Sequence, residues 1–70
     1  MEAFRGKTYS PGEVAQRCGL PTRTVLAAIR SGELGAWQIN RRVLRIPEAD
    51  LSRWLDLLRE RARGLHNLHN

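Results

Sequence analysis

The stretch from Glu13 to Leu34, EVAQRCGLPTRTVLAAIRSGEL, constrains this chain more than any other. Two helix-length segments flank a break at Gly19-Leu20-Pro21. Ser10 is suited to cap the first helix, Pro11 fits its first position, and Glu13 completes an S-x-x-E capping box. Val14, Ala15 and Cys18 fall on one face at helical spacing. Gly19 permits a positive φ at the helix end, so Leu20 can fold back onto a core. Pro21 stops the first helix and stands just before the second. Helix 2 is predicted over about Thr22 to Ser31, with Val25, Ala28 and Ile29 inward. Gly32 ends it and Leu34 returns to the core. The spacing therefore predicts helix, tight turn, helix, packed on one apolar side.

From Ala36 onward the period changes. Trp37 and Ile39 alternate with Gln38 and Asn40; beyond Arg41 and Arg42, Leu44 and Ile46 alternate with Val43 and Arg45. Two short alternating runs around a polar tip predict a β-hairpin over Ala36 to Ile46, its three arginines at the tip or on the outer face. Trp37 is expected inward with Ile39. Pro47 is expected to open helix 3, with Glu48 and Asp50 in its first turn. Leu51, Trp54, Leu55, Leu58 and Ala62 form an amphipathic stripe. Gly64 is expected to stop that helix. The organisation predicted is a lead-in over residues 1–8, one folded domain over 9–63, and a flexible tail over 64–70.

Seventy residues with 41% apolar content allow one small domain. Such a chain buries roughly 60% of its unfolded surface. A single cysteine, Cys18, excludes an internal disulfide and is expected as a small core residue. No apolar run is long enough to span a membrane, and MEAFRGKTYS lacks a secretory h-region, so the cytoplasm is the expected location. The formal net charge is +5, unevenly spread. Ala3 to Arg45 holds eight cations against two anions, and Ile46 to Asn70 four of each. A basic first part and a balanced last part suit a polyanionic partner for the former. Eleven of the twelve cations are arginine, which suits bidentate contact with phosphate and guanine. GC-rich coding produces the same bias.

These features converge on duplex DNA. Thr22, Arg23, Thr24, Ala27 and Arg30 are the candidates on helix 2, with Arg23 best suited to a guanine edge and the threonines to phosphates or a thymine methyl. On the hairpin the candidates are Gln38, Arg41, Arg42 and Arg45, along the backbone or in the adjacent minor groove. Arg5 and Lys7 are further phosphate candidates. Trp37 and Trp54 read as core residues rather than stacking platforms. His66 and His69 lack further ligands, so no metal and no cofactor is expected. There is no nucleophile–base pair and no phosphate-cradling loop, and the chain is too small to enclose a substrate; no enzyme is expected.

The order helix, turn, helix, arginine-tipped hairpin, helix is that of a winged helix-turn-helix, mainly α with a small β-hairpin. Residues 9 to 55 resemble the excisionase-type, MerR-like DNA-binding domains. The matching residues are Glu13-Val14-Ala15, Gly19-Leu20, Thr24-Val25, Ile29-Arg30-Ser31-Gly32-Glu33-Leu34, Arg45-Ile46-Pro47, Leu51 and Trp54-Leu55. Pro21 departs from the usual hydroxyl cap, leaving Thr22 to substitute. Ala27 stands where larger or basic residues are common. No effector domain and no long dimerising helix are expected after helix 3. The resemblance implies helix 2 in the major groove and the hairpin wing beside it, with head-to-tail or dimeric association on DNA and DNA bending. It further implies a role in transcription regulation, or in site-specific recombination with a recombinase partner. The rival expectation is a protein-interaction module, or a DNA-binding subunit of a larger assembly such as phage packaging. That module would use Leu57, Leu58, Leu65 and Leu68 of helix 3 as partner surface.

Overall fold

The structure, a computed structural model, describes residues 6–68, with side chains described for 6–64. The elements run β1 (Thr8–Tyr9), α1 (Pro11–Cys18), α2 (Thr22–Arg30), β2 (Trp37–Gln38), β3 (Leu44–Pro47) and α3 (Glu48–Leu68). Three helices surround a small antiparallel sheet of order β1-β3-β2, a winged helix-turn-helix arrangement.

Local chemistry sets the helix ends. Ser10 Oγ accepts from the Glu13 amide at 3.1 Å, and Glu13 Oε1 accepts from the Ser10 amide at 2.8 Å, closing the capping box. Gly19 takes φ +67° at the end of α1, and the Leu20 amide reaches back to Ala15 O at 2.9 Å. α2 starts at Thr22, with Pro21 as its N-cap and no side-chain hydrogen bond there. The expected substitution by Thr22 therefore does not occur. Thr22 is already inside the helix, and the extended Pro21 (φ −64°, ψ 144°) holds the cap position without a hydroxyl.

The strands refine the expectations. Residues 1–8 do not end as a lead-in, because Thr8 and Tyr9 pair with Pro47 and Ile46. Pro47 closes β3 rather than opening the helix, and α3 begins at Glu48, whose amide donates to Lys7 O at 3.0 Å. Gly64 does not stop α3, which continues to Leu68. An exposed glycine inside a helix costs only about 1 kcal/mol. Among the described residues only Gly6, Gly19 and Gly32 have positive φ, so Gly64 stays right-handed. Met1 to Arg5 and the side chains of His66 and His69 lie outside the described residues.

The core is Tyr9, Val14, Ala15, Val25, Ala28, Leu34, Ile46, Leu51 and Trp54, with Cys18, Leu20, Ile29, Leu55 and Leu58 packed around it. Burial raises the Cys18 thiol pKa, consistent with a packing role. Trp37 does not take the inward position that its spacing predicts. It pairs with Arg45, next to the fully buried Ile46, and Gln38 pairs with Leu44. Successive strand residues alternate faces. With Ile46 pointing into the core, Arg45 and Trp37 must point out, and Trp37 is 41% exposed. Ile39 shares that outer face and is exposed as well. Ala62 continues the apolar stripe of α3 but is also exposed, past the last core contact at Leu58.

Candidate nucleic-acid interface

α2 owes its direction to anchors at both ends. At the start, the Thr24 amide donates to Pro21 O at 3.0 Å. At the end, Ser31 Oγ donates to Ala28 O at 3.0 Å, and the Leu34 amide reaches Ala28 O at 3.1 Å. Two residues past the cap, Glu33 Oε2 accepts the Trp54 indole N–H at 2.8 Å, and Glu33 Oε1 takes Arg61 at 2.7 Å. Hydrogen bonds from Arg61 first and Trp54 second hold the Glu33 carboxyl below its ordinary pKa. This charged clamp fixes the end of α2 against α3.

With Val25 and Ala28 buried, the opposite side of α2 carries Arg23, Ala27 and Arg30, all exposed. Thr22 and Thr24 flank that line and are exposed too. Thr24 and Ala27 also border an open, mostly apolar groove of about 420 Å³ between α2 and α3, with Leu20, Ser31, Trp54 and Leu58. All five sequence candidates on helix 2 thus reach solvent.

The wing tip is built by Asn40. Its Oδ1 accepts from the Arg42 amide at 2.8 Å and the Val43 amide at 3.1 Å, while the Ile39 amide donates to Val43 O at 2.9 Å. An Asx turn of this kind holds a tip in shape without glycine. Arg41 and Arg42 are exposed there. Gln38 is exposed on the opposite side of the wing from Trp37. Arg45 stands apart from the other candidates. Its Nε donates to Thr8 Oγ1 at 3.1 Å and an Nη to Thr8 O at 3.0 Å, so this half-buried guanidinium ties β3 to β1.

The remaining arginines sort the same way. Arg17 lies over the Tyr9 ring, 4.6 Å from its centroid. Arg53, Arg59, Arg61 and Arg63 pair with Asp50, Asp56, Glu33 and Glu60. Among the described residues, the arginines whose side chains hold no partner are Arg23, Arg30, Arg41 and Arg42. They occupy the outer line of α2 and the tip of the wing, and nowhere else.

Sequence reasoning missed β1 and the bracing role of Arg45. A polar Thr8 in a two-residue strand carries almost no periodic signal. Among the described residues no helix is long and apolar enough to cross a membrane.

Residues 8–56 match a family model described as a helix-turn-helix domain. No curated protein and no solved structure matches the chain.

Proposed function

The chain belongs to the helix-turn-helix domain family, and from that premise we propose that it binds double-stranded DNA sequence-specifically, with α2 in the major groove and the β2–β3 wing beside it. It acts by binding and not by catalysis, in the cytoplasm, as a small transcription regulator or an excisionase-like recombination directionality factor. One observation carries this reading. Among the described residues, the arginines left without intramolecular partners are the two on the outer line of α2 and the two at the wing tip. The other described arginines each have an intramolecular partner, so among the described residues α2 and the wing present the unpaired guanidinium charge. Phosphate neutralisation releases counterions, so affinity must fall with salt. The test is fluorescence anisotropy with duplex DNA over a salt series. A negative, steep dependence of log affinity on log salt is expected, weakened in Arg41→Ala and Arg23→Ala. Absence of duplex affinity at low ionic strength refutes the proposal.

A second reading, a self-association surface on α3, is favoured by the length of that helix. Twenty-one residues make a rod of about 30 Å, and the molecule measures 49 Å along one axis against 22 and 20 Å. Glu48, Asp50 and Asp56 outnumber Arg53 in its first half, and Arg59, Arg61 and Arg63 outnumber Glu60 in its second. An antiparallel second copy would find complementary charge by exchanging the exposed pairs within α3 for pairs between copies. Sedimentation without DNA tests it; a strict monomer at high concentration refutes it.

A further inference from the structure

Arg23, Ala27 and Arg30 stand at i, i+4 and i+7 of α2, on one line facing away from Val25 and Ala28. At about 1.5 Å of rise per residue, Arg23 and Arg30 lie about 10.5 Å apart along the axis. Three base-pair steps of B-DNA advance about 10 Å. A guanidinium donates two parallel hydrogen bonds, and guanine presents O6 and N7 as the matching acceptor pair in the major groove. Neither guanidinium is drawn aside by a described neighbour.

Position on the helix separates base contact from phosphate contact. With about 100° per residue, Thr22 and Thr24 sit to either side of the Arg23 line, toward the groove walls where phosphates run. Arg23 and Arg30 share the line between those sides, which points at the groove floor. Ala27, midway, brings only a methyl. It cannot hydrogen-bond a base edge, and its natural contact is a thymine methyl.

We infer that α2 reads two guanines about three base pairs apart, one through Arg23 and one through Arg30. The base pairs between them are read only through the Ala27 methyl. The inference rests on the DNA-binding reading proposed above and adds the class of site to it.

The experiment is selection from a randomised duplex library with the full chain, followed by affinity measurements on single-substitution duplexes. Wild type, Arg23→Ala, Arg30→Ala, Arg23→Lys and Arg41→Ala are compared, with circular dichroism confirming the fold of each. Two G·C pairs about three base pairs apart are expected in the selected motif. Replacing either by A·T is expected to weaken binding on the order of tenfold. Arg23→Ala abolishes the penalty at one of the pairs and Arg30→Ala at the other. Arg23→Lys keeps the charge, and with it nonspecific affinity, but loses discrimination at its guanine. Arg41→Ala weakens all duplexes alike. The inference is overturned if the selected motif lacks the guanine pair or spaces it differently. It is equally overturned if the α2 variants weaken every duplex evenly. Loss of all duplex binding in the wild type would instead overturn the DNA reading itself.

Discussion

Glu33 and Trp54 are joined by a 2.8 Å hydrogen bond from the indole N–H to the carboxylate, across 21 positions of sequence. Trp54 is 2% exposed, so its N–H has left water and needs this acceptor. Glu33 stands in the turn that ends α2. The bond therefore converts burial of one large side chain into a fixed angle between α2 and α3. Arg61 completes the clamp from the next turns of α3.

This clamp makes stability pH-dependent. The folded-state pKa of Glu33 lies below its ordinary value of 4.5, through its hydrogen bonds from Arg61 and Trp54. Glu13 is lowered as well, by the backbone and then the side chain of Ser10. A depressed carboxylate contributes stability in full above the unfolded pKa, and that contribution is lost as pH falls through the folded pKa. Thermal melts should therefore hold a steady midpoint above the ordinary carboxylate range and fall below it. Glu33→Gln lowers the midpoint at neutral pH and flattens the acid limb of the profile. An unchanged acid limb in Glu33→Gln would show that the clamp does not bear on folding.

The two tryptophans separate core from wing. Trp54→Ala removes a buried indole and one of the two hydrogen bonds to Glu33, a loss of about 3–5 kcal/mol. Domains of this size hold only about 5–10 kcal/mol in all, so the variant is expected to lose from about a third to all of its stability and to unfold at a much lower urea concentration. Trp37, 41% exposed on the outer face of the sheet, is expected to cost clearly less than Trp54 when replaced by alanine. Urea unfolding followed by circular dichroism measures both.

The same pair shows what is legible in the chain and what is not. Ser10, Glu13, Gly19 and Gly32 act within a few residues of themselves, and the ends they set follow from local sequence. The core face of α3 through Leu58 follows from its period. Trp37 depends on register, and register depends on which strand residue the distant helices bury. Ile46 decides it, and alternation within β2 alone cannot. Arg45 differs again. Its residue type fits a phosphate contact, but the folding of Thr8 beside it gives the guanidinium an internal partner. Gly64 reads as a stop because local propensity disfavours it, yet α3 continues through it at small cost.

The wing tip should act on affinity without acting on sequence preference. Arg41 and Arg42 are exposed on a turn held by Asn40, with no base-reading helix under them. Arg42→Ala is expected to weaken binding to all duplexes by a similar factor and to reduce the salt slope by about 1. Asn40→Ala keeps both charges but removes the side-chain acceptor that shapes the tip, so it weakens binding with little change in that slope. Anisotropy titrations at several salt concentrations distinguish the two.

Pro21 offers a test in which two known effects oppose each other. As N-cap it gives α2 no side-chain hydrogen bond. A serine hydroxyl there can accept from the Arg23 amide or share the Thr24 amide already bonded to the residue-21 carbonyl, worth about 1 kcal/mol. Removing the proline frees the unfolded chain, at a cost of about 0.4–1 kcal/mol. Pro21→Ser is therefore expected to leave stability within about 0.5 kcal/mol of wild type, whereas Pro21→Ala, which loses rigidity and gains no cap, is destabilised. The gap between the two variants in urea unfolding isolates the cap. If serine and alanine prove equal, the first turn of α2 gains nothing from a hydroxyl cap, and Pro21 acts through the shape of the turn alone.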